Sequence, residues 1–176
     1  MIHLNKGKPF PLGSSLTSQG VNFSLIATNA EYVEILLFER EDSIFPKTIL
    51  KLNQNHNTGP YWHVEIRNLK KGCIYAFRIK QKNNGINNNY EKKVLLDPCS
   101  RGITGWGSYK RENALKTHEN TKSCLKSVVC ERKLFNFKDY PRPKHSWEET
   151  IIYELHIKAF TEPTDKDESC FKKFFK

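Results

Sequence analysis

Aromatic side chains at two places in the sequence could bind a ligand by stacking. Tyr61 and Trp62 are adjacent, and Trp106 stands between two glycines. Pyranose rings stack on flat aromatic surfaces and tryptophan offers the largest one, so these three residues are the candidate carbohydrate-binding residues. For Trp62 the sequence favours core packing, because it has the same parity as Val64 and Ile66 on the apolar face of a strand. For Trp106, packing under the loop is favoured over ligand contact.

Residues that could act as acids, bases or metal ligands are scattered along the chain. Glu154 and His156 are two residues apart, so they would point to the same side of a strand. A solvated polar face is the favoured interpretation, because a functional pair needs neighbouring elements that hold it in place. The other histidines, including His56 and His63, are isolated, and no metal geometry follows from them. No metal site or cofactor is therefore predicted.

The composition is that of a folded protein with an excess of basic residues. Hydrophobic residues make up 38% of the chain and the formal net charge is +10. Such a charge can indicate a polyanionic partner. The basic residues are spread along the chain, however, and no dense lysine and arginine run accompanies a nucleic-acid-binding motif. Nucleic-acid binding is the least favoured of the functions considered.

The sequence also predicts a compartment. No apolar run approaches the roughly 20 residues of a membrane-spanning helix, and the N-terminus lacks the apolar core of a signal peptide. The cysteines are Cys73, Cys99, Cys124, Cys130 and Cys170. They are odd in number and form no C-x-x-C pair, so reduced thiols are expected. A cytoplasmic protein without a membrane partner is predicted.

Residues 1–100 are predicted to form an all-β domain, an immunoglobulin-like antiparallel β-sandwich. Short runs with apolar alternation are separated by turn signals, which is typical of this class. The predicted strands are residues 21–27, 32–38, 48–52, 61–66 and 74–79. The predicted core includes Phe23, Ile35, Leu37, Val64, Tyr75 and Phe77.

The remainder of the chain has a different character. Over residues 101–146 the periodicity fades, and an irregular connector that packs against another element is expected. Residues 147–176 are interpreted as a third segment, in which residues 151–160 alternate again and predict one more strand. Ile151, Tyr153 and Leu155 lie on one side of that strand, and Glu154 and His156 lie on the other.

The order of motifs resembles one enzyme family. The matching segments are residues 7–13 (GKPFPLG), 20–24 (GVNFS), 61–63 (YWH), 95–98 (LLDP) and 147–161 (WEETIIYELHIKAFT), together with the spaced residues Leu69, Gly72, Tyr75 and Arg78. In this order the segments are similar to the opening of isoamylases and bacterial glycogen-debranching enzymes. Cys99 stands where the family has an aromatic residue, and the resemblance ends after Thr161.

The resemblance implies a fold and a reaction. The first hundred residues would be a family-48 carbohydrate-binding module, and residues 147–176 would be the truncated start of a glycoside hydrolase barrel of family 13. The family hydrolyses α-1,6 branch linkages with retention, which needs a nucleophilic carboxylate and an acid/base about 5 Å apart. These residues belong to later strands of a (β/α)₈ barrel. No Asp or Glu of this chain matches them, so the resemblance implies no catalytic residue here, and Glu154 and His156 would at most be a remnant of the cleft floor.

Three functions of different classes stay open. The first is an N-terminal fragment of a debranching hydrolase that is inactive alone, either the product of a degraded gene or a part whose barrel is encoded as a separate fragment. The second is a free-standing module that binds or targets α-glucan weakly. The third is a basic protein that binds nucleic acid. The predicted strand at residues 151–160 favours the first, because a stand-alone module has no use for a barrel strand.

Overall fold

The computed structural model describes residues 2–82, 92–132 and 144–156. The chain divides into two units, Met1–Lys133 and Leu134–Lys176, which are described separately. Residues 133–143 of the expected connector, Cys170 and the part of the last predicted strand beyond residue 156 lie outside the described residues.

The first sheet of the first unit is built from the three N-terminal strands and from two later strands that pair with each other. Its strands are β1 (Leu4–Asn5), β2 (Gly13–Leu16), β3 (Gly20–Ile26), β6 (Asn57–Thr58) and β7 (Tyr61–Arg67). They run antiparallel in the order β1-β7-β3-β2, and β6 also pairs with β7. The register places Phe23 opposite Val64 and Leu25 opposite Trp62, so the apolar parities of β3 and β7 coincide.

The second sheet takes the remaining strands. They are β4 (Ala30–Phe38), β5 (Thr48–Leu52), β8 (Ile74–Gln81), β9 (Gly102–Thr104) and β10 (Lys126–Val128). Their order is β5-β4-β8-β10-β9, and all of the pairs are antiparallel. The connector that was expected to be irregular thus contributes two short strands to this sheet. A helix, α1 (Arg111–Leu115), and a 3-10 helix, Thr121–Ser123, lie between them.

The core lies between the two sheets and confirms the predicted β-sandwich. All six residues predicted for the core are buried, and Phe23 is only 1% exposed. The rings of Phe23 and Tyr75 come from different sheets and meet edge to face, with centroids 4.8 Å apart. Since such pairs add to the free energy of apolar burial, the contact ties the two sheets together.

A second apolar cluster lies on the outer side of the second sheet. Leu36, Phe38 and Ala76 point away from the main core, because they have the opposite parity to Ile35, Leu37 and Phe77. They pack with Val94 and Cys124 of the segment that follows residue 92. This packing explains why β4 is apolar on both faces, as its nearly continuous apolar sequence predicts.

Two buried lysines hold that outer segment in place. The Nζ of Lys93 donates to the backbone oxygens of Asn113, Ala114 and Lys116 at the C-terminal end of α1. The Nζ of Lys126 donates to the backbone oxygen of Glu41 at 2.8 Å and lies 5.0 Å from the centre of the Phe38 ring. Carbonyl oxygens and an aromatic face stabilise ammonium groups that burial would otherwise disfavour.

The second unit is described only over residues 144–156. In backbone turn hydrogen bonds, the N–H of Glu149 donates to the Ser146 oxygen and that of Thr150 donates to the Trp147 oxygen. The Thr150 hydroxyl also donates to the Ser146 backbone oxygen at 2.7 Å. Residues 151–156 form no strand, which differs from the sequence-based expectation. The physical reason is that a strand exists through its ladder with a neighbour, and no ladder includes these residues within the described part of the chain.

Candidate functional site

Tyr61 forms part of an aromatic surface on the outer face of the first sheet. Its ring centre lies 4.8 Å from that of Phe10, and Ile26 is its cross-strand neighbour. Phe10 and Ile26 are both exposed, and Tyr61 is half-buried. The two rings are inclined by 56° rather than coplanar.

A segment before β2 carries Phe10 to this position, and three outward-facing polar residues hold it. Asn22 accepts from the backbone N–H of Lys8 at 2.7 Å and donates to the backbone oxygen of the same residue at 2.9 Å. The Ser24 hydroxyl donates to the backbone oxygen of Pro9 at 2.6 Å. The His63 Nδ1 lies 2.8 Å from the backbone oxygen of Lys6. Residues 6–11 are therefore fixed against the sheet by hydrogen bonds from side chains to their backbone. We call this segment the N-terminal strap.

The strap also requires a glycine. Gly7 has a φ of +72°, and a Cβ atom there would lie 2.6 Å from the backbone carbon of Val64. Only a residue without a side chain can approach β7 this closely in that conformation. The segment 7–13 that carries the family resemblance thus begins at a point of backbone contact.

Trp62 faces the opposite way from Tyr61, into the core. It is 3% exposed, and its indole Nε1–H donates to the backbone oxygen of Ala27 at 3.1 Å. Protein atoms cover both faces of the ring, so no sugar can stack on them in this structure. The core position that its parity favours is the one that it occupies.

Trp106 is the most exposed of the three candidate residues. It follows β9 and meets Tyr109 edge to face with ring centres 6.1 Å apart. Trp106 is 64% exposed, so the expectation that it packs under its loop is wrong. We call Trp106 and Tyr109 the aromatic corner. Tyr61 lies in the first sheet, Trp62 faces the core, and Trp106 lies in the turn that follows β9 of the second sheet, so the structure does not bring the three predicted residues together in one site.

The aromatic corner is anchored on both sides. The backbone N–H of Lys110 donates to the Ser123 backbone oxygen at 3.2 Å. On the other side, the Thr104 hydroxyl donates to the Glu41 carboxylate, and Lys126 donates to the Glu41 backbone oxygen. An exposed ring on an anchored loop loses little conformational entropy when it binds, which favours use as a stacking platform.

Several residues of the family motifs have structural roles. The Tyr75 hydroxyl donates to the Asp97 carboxylate at 2.6 Å, and the backbone N–H of Cys99 donates to its other oxygen at 2.8 Å. Burial raises the pKa of the Asp97 carboxyl, and these two hydrogen bonds oppose that change. Arg78 forms an ion pair of 3.1 Å with Glu34. The Tyr75–Asp97 contact fastens residues 95–98 to β8, and the Arg78–Glu34 pair links β8 to β4.

Acid, base and metal chemistry finds little support in the described residues. Glu154 and His156 are exposed. Across residues 2–82, 92–132 and 144–156, no group of three or more His, Cys, Asp or Glu side chains is arranged to hold a metal ion. In the same residues no helix is long and apolar enough to span a bilayer.

Sequence reasoning did not identify Asn22, Ser24, His63 or Tyr109 as residues that build these surfaces. The alternation of Asn22 and Ser24 with apolar residues was visible in the sequence of β3. Small polar residues in the middle of a well-buried strand could have indicated that another segment covers the outer face of the sheet there. The contact between the rings of Tyr109 and Trp106 could not be predicted, because the sequence shows only that the two residues are three positions apart in a loop.

Two antiparallel sheets with exposed aromatic side chains are typical of an accessory carbohydrate-binding module. A family comparison agrees: the family described as carbohydrate-binding module 48 (isoamylase N-terminal domain) matches residues 11–100. The chain belongs to this family, as the motifs predicted.

The curated relatives that match this chain are larger proteins. A glycogen debranching enzyme of Pectobacterium carotovorum subsp. carotovorum (strain PC1) is 30% identical over 173 residues, which cover 92% of this chain. A glycogen debranching enzyme of Erwinia tasmaniensis is 31% identical over 170 residues. The chain spans about a quarter of the length of these relatives.

A solved structure supports the fold alone. The chain described as "Putative alpha Amylase from Salmonella typhimurium" matches 86% of this chain and 20% of its own length, with 17% identity and a TM-score of 0.50.

Proposed function

We propose that this chain is the N-terminal glucan-binding part of an α-1,6-glucan debranching hydrolase. Both relatives described above are named glycogen debranching enzymes, and the chain is similar to a quarter of their length. The observation that carries the proposal is the aromatic corner, where Trp106 is exposed on an anchored loop beside Tyr109. A flat, exposed indole suits the apolar face of a glucose ring, and a single platform of this kind gives weak binding.

The chain alone is proposed to be inactive. No Asp or Glu in it matches the carboxylates of the family resemblance, and the retaining reaction requires two of them about 5 Å apart. We expect no release of reducing ends from glycogen, amylopectin or pullulan. Release above the buffer blank that disappears when one named Asp or Glu is replaced would contradict this proposal.

A partner that supplies the barrel is part of the same proposal. Ile151 and Tyr153 are exposed, and burying such side chains against a barrel would stabilise the complex. Co-expression with the Pectobacterium relative lacking its first quarter tests it. We expect the two polypeptides to co-purify and debranch glycogen, whereas independent elution without activity would refute the partner.

The proposed compartment is the cytoplasm. Cys73, Cys99, Cys124 and Cys130 are free thiols. A reducing compartment keeps exposed thiols such as Cys99 from oxidation.

Affinity gel electrophoresis with glycogen in the gel tests the binding function. We expect the wild type to be retarded and Trp106→Ala to migrate as it does in a gel without glycogen. Trp147→Ala is the matched control, because Trp147 is also exposed but lies in the second unit. Equal retardation of Trp106→Ala and the wild type would exclude the aromatic corner, and an unretarded wild type would leave the module with a structural role.

A further inference from the structure

A cavity of about 290 Å³ opens beside the buried Trp62. It lies apart from the aromatic corner, and the residues that line it are Ala30, Glu31, Gln54, Asn57, Trp62 and Lys82. This volume is at the small end for ligand sites in proteins, so the cavity suits one small ring and not an extended chain.

The floor and one wall of the cavity are fixed by the fold. Strand β6 pairs Asn57 with Trp62, and the Trp62 indole is held by its hydrogen bond to the Ala27 backbone oxygen. A 3-10 helix, Gln54–His56, leads into β6, and the Asn53 side chain caps its start by accepting from the Asn55 backbone N–H at 3.0 Å. Gln54 and Asn57 are therefore carried by a short, capped turn.

The opposite wall is fixed by backbone contacts. The backbone N–H of Lys82 donates to the Asn29 oxygen at 2.8 Å, and that of Ala30 donates to the Ala27 oxygen at 3.3 Å. These bonds set where Glu31 and Lys82 enter the cavity. Because both walls are held by hydrogen bonds within the protein, the cavity is pre-organised for a ligand.

The lining favours an uncharged ligand with several hydroxyl groups. Within the part of the chain that the structure describes, the side-chain amides of Gln54 and Asn57 make no hydrogen bond. Each amide offers both donors and an acceptor, which matches hydroxyl groups that also donate and accept. The lining carries one acidic and one basic residue, Glu31 and Lys82, and Glu31 is paired with Lys80 at 3.8 Å, so the cavity has no net charge that would select an ion of one sign.

We propose that this cavity is a second carbohydrate site, which binds a single glucosyl unit of an α-glucan. The identity of the sugar rests on the proposed function, whereas the chemistry of the cavity rests on its lining. Since the faces of Trp62 are covered, only its exposed edge contacts the ring, and the amides of Gln54 and Asn57 provide most of the selectivity. The site thus differs from the aromatic corner, which binds by stacking.

Titration of the ¹⁵N-labelled full chain with maltotriose, followed by NMR, tests the proposal. We expect saturable shifts of the Trp62 indole N–H and of the Gln54 and Asn57 side-chain amides. Gln54→Ala and Asn57→Ala should each weaken binding by roughly 3- to 10-fold, as expected for the loss of one neutral hydrogen bond. Asn55→Ala is the matched control, because Asn55 lies in the same turn but does not line the cavity.

Repeating the titration with Trp106→Ala separates this inference from the proposed function. Shifts at Trp62 that persist in this variant support the cavity, even if the wild type is not retarded by glycogen. Retardation by glycogen with maltotriose shifts only near Trp106 would overturn the cavity and leave the proposed function intact. The cavity is also overturned if maltotriose causes no shift, or if Asn57→Ala binds as tightly as the wild type.

Discussion

Strand β7 and residues 151–156 have similar apolar patterns in the sequence, but only β7 forms a strand with a buried face. In β7, the residues Trp62, Val64 and Ile66 alternate with polar neighbours and are buried. In the second unit, Ile151 and Tyr153 also occupy alternate positions, but Ile151 is 94% exposed. Both segments combine β-branched or aromatic residues with a polar opposite face.

The difference between the two segments lies in their neighbours. Strand β7 pairs with β3 on one edge and with β1 and β6 on the other, and a second sheet covers its apolar face. Residues 151–156 belong to no ladder in the described part of the chain. Apolar alternation therefore indicates which side chains can share a face, whereas strand formation requires a partner edge and a covering layer.

Amide hydrogen exchange should show the largest contrast between these segments. Core strands open only with global unfolding, whereas segments without a ladder exchange with almost no protection. We expect the amides of β3 and β7 to need about 5–15 kcal/mol to open and those of residues 151–156 to need almost none. Slow exchange through residues 151–156, as firm as in β7, would show that a partner covers this segment.

Substitutions at single apolar positions should give the next largest contrast. Phe23→Ala removes a buried ring that contacts Tyr75, and we expect it to lower the free energy of unfolding by about 3–5 kcal/mol. Ile151→Ala removes a solvated side chain and should change it by less than about 0.5 kcal/mol. Urea denaturation of both variants measures the difference, and equal effects would contradict the comparison.

The sequence predicted the sandwich well because its strands are long enough to show alternation. Residues 48–52 were predicted with the bounds that β5 has, and all six predicted core residues are buried. Strands β9 and β10 escaped prediction because three residues cannot display a period. They exist through their pairing next to β8, which is a property of the sheet and not of the segment.

The candidate sites were only partly predictable. Residue type identified Trp106, but its exposure depends on how the outer segment packs. The parity of Trp62 correctly favoured the core. The cavity had no signal, because Gln54 and Asn57 are ordinary loop residues until β6 places them beside Trp62.

Asn22→Ala tests whether the N-terminal strap is a stable part of the first sheet or a loosely attached segment like residues 151–156. The substitution leaves the backbone N–H and oxygen of Lys8 without their partners. We expect it to lower the free energy of unfolding by about 1–3 kcal/mol and to speed exchange of the strap amides. Asn55→Ala serves as an exposed control. A change as small as that of the control would mean that the strap adds nothing to the stability of the sheet.

The smallest expected effect is a pH dependence from His56, in the turn before β7. Burial lowers the pKa of His56 from its ordinary value of 6.5, and the nearby His63 lowers it further. The unfolded chain therefore binds a proton more readily than the folded one as the pH falls through about 6.5. The contribution of His56 to stability is present above this pH and is lost as the pH falls towards the lowered pKa of the folded state.

His56→Gln isolates this contribution. The His56 Nδ1 lies 2.9 Å from the side-chain oxygen of Asn53 and 3.4 Å from the backbone nitrogen of Asn53. Glutamine can hydrogen bond to either atom because its amide donates and accepts, and it does not titrate. Between pH 7.5 and 5.5 in urea denaturation, the wild type should lose more stability than His56→Gln, by less than about 1 kcal/mol because the ring is partly solvated. If the two proteins lose the same amount, partial burial of His56 does not affect the stability of the turn. The turn before β7 would then be as solvated as residues 151–156. The difference in solvation between β7 and residues 151–156 would in that case be limited to β7 and would not include the turn that precedes it.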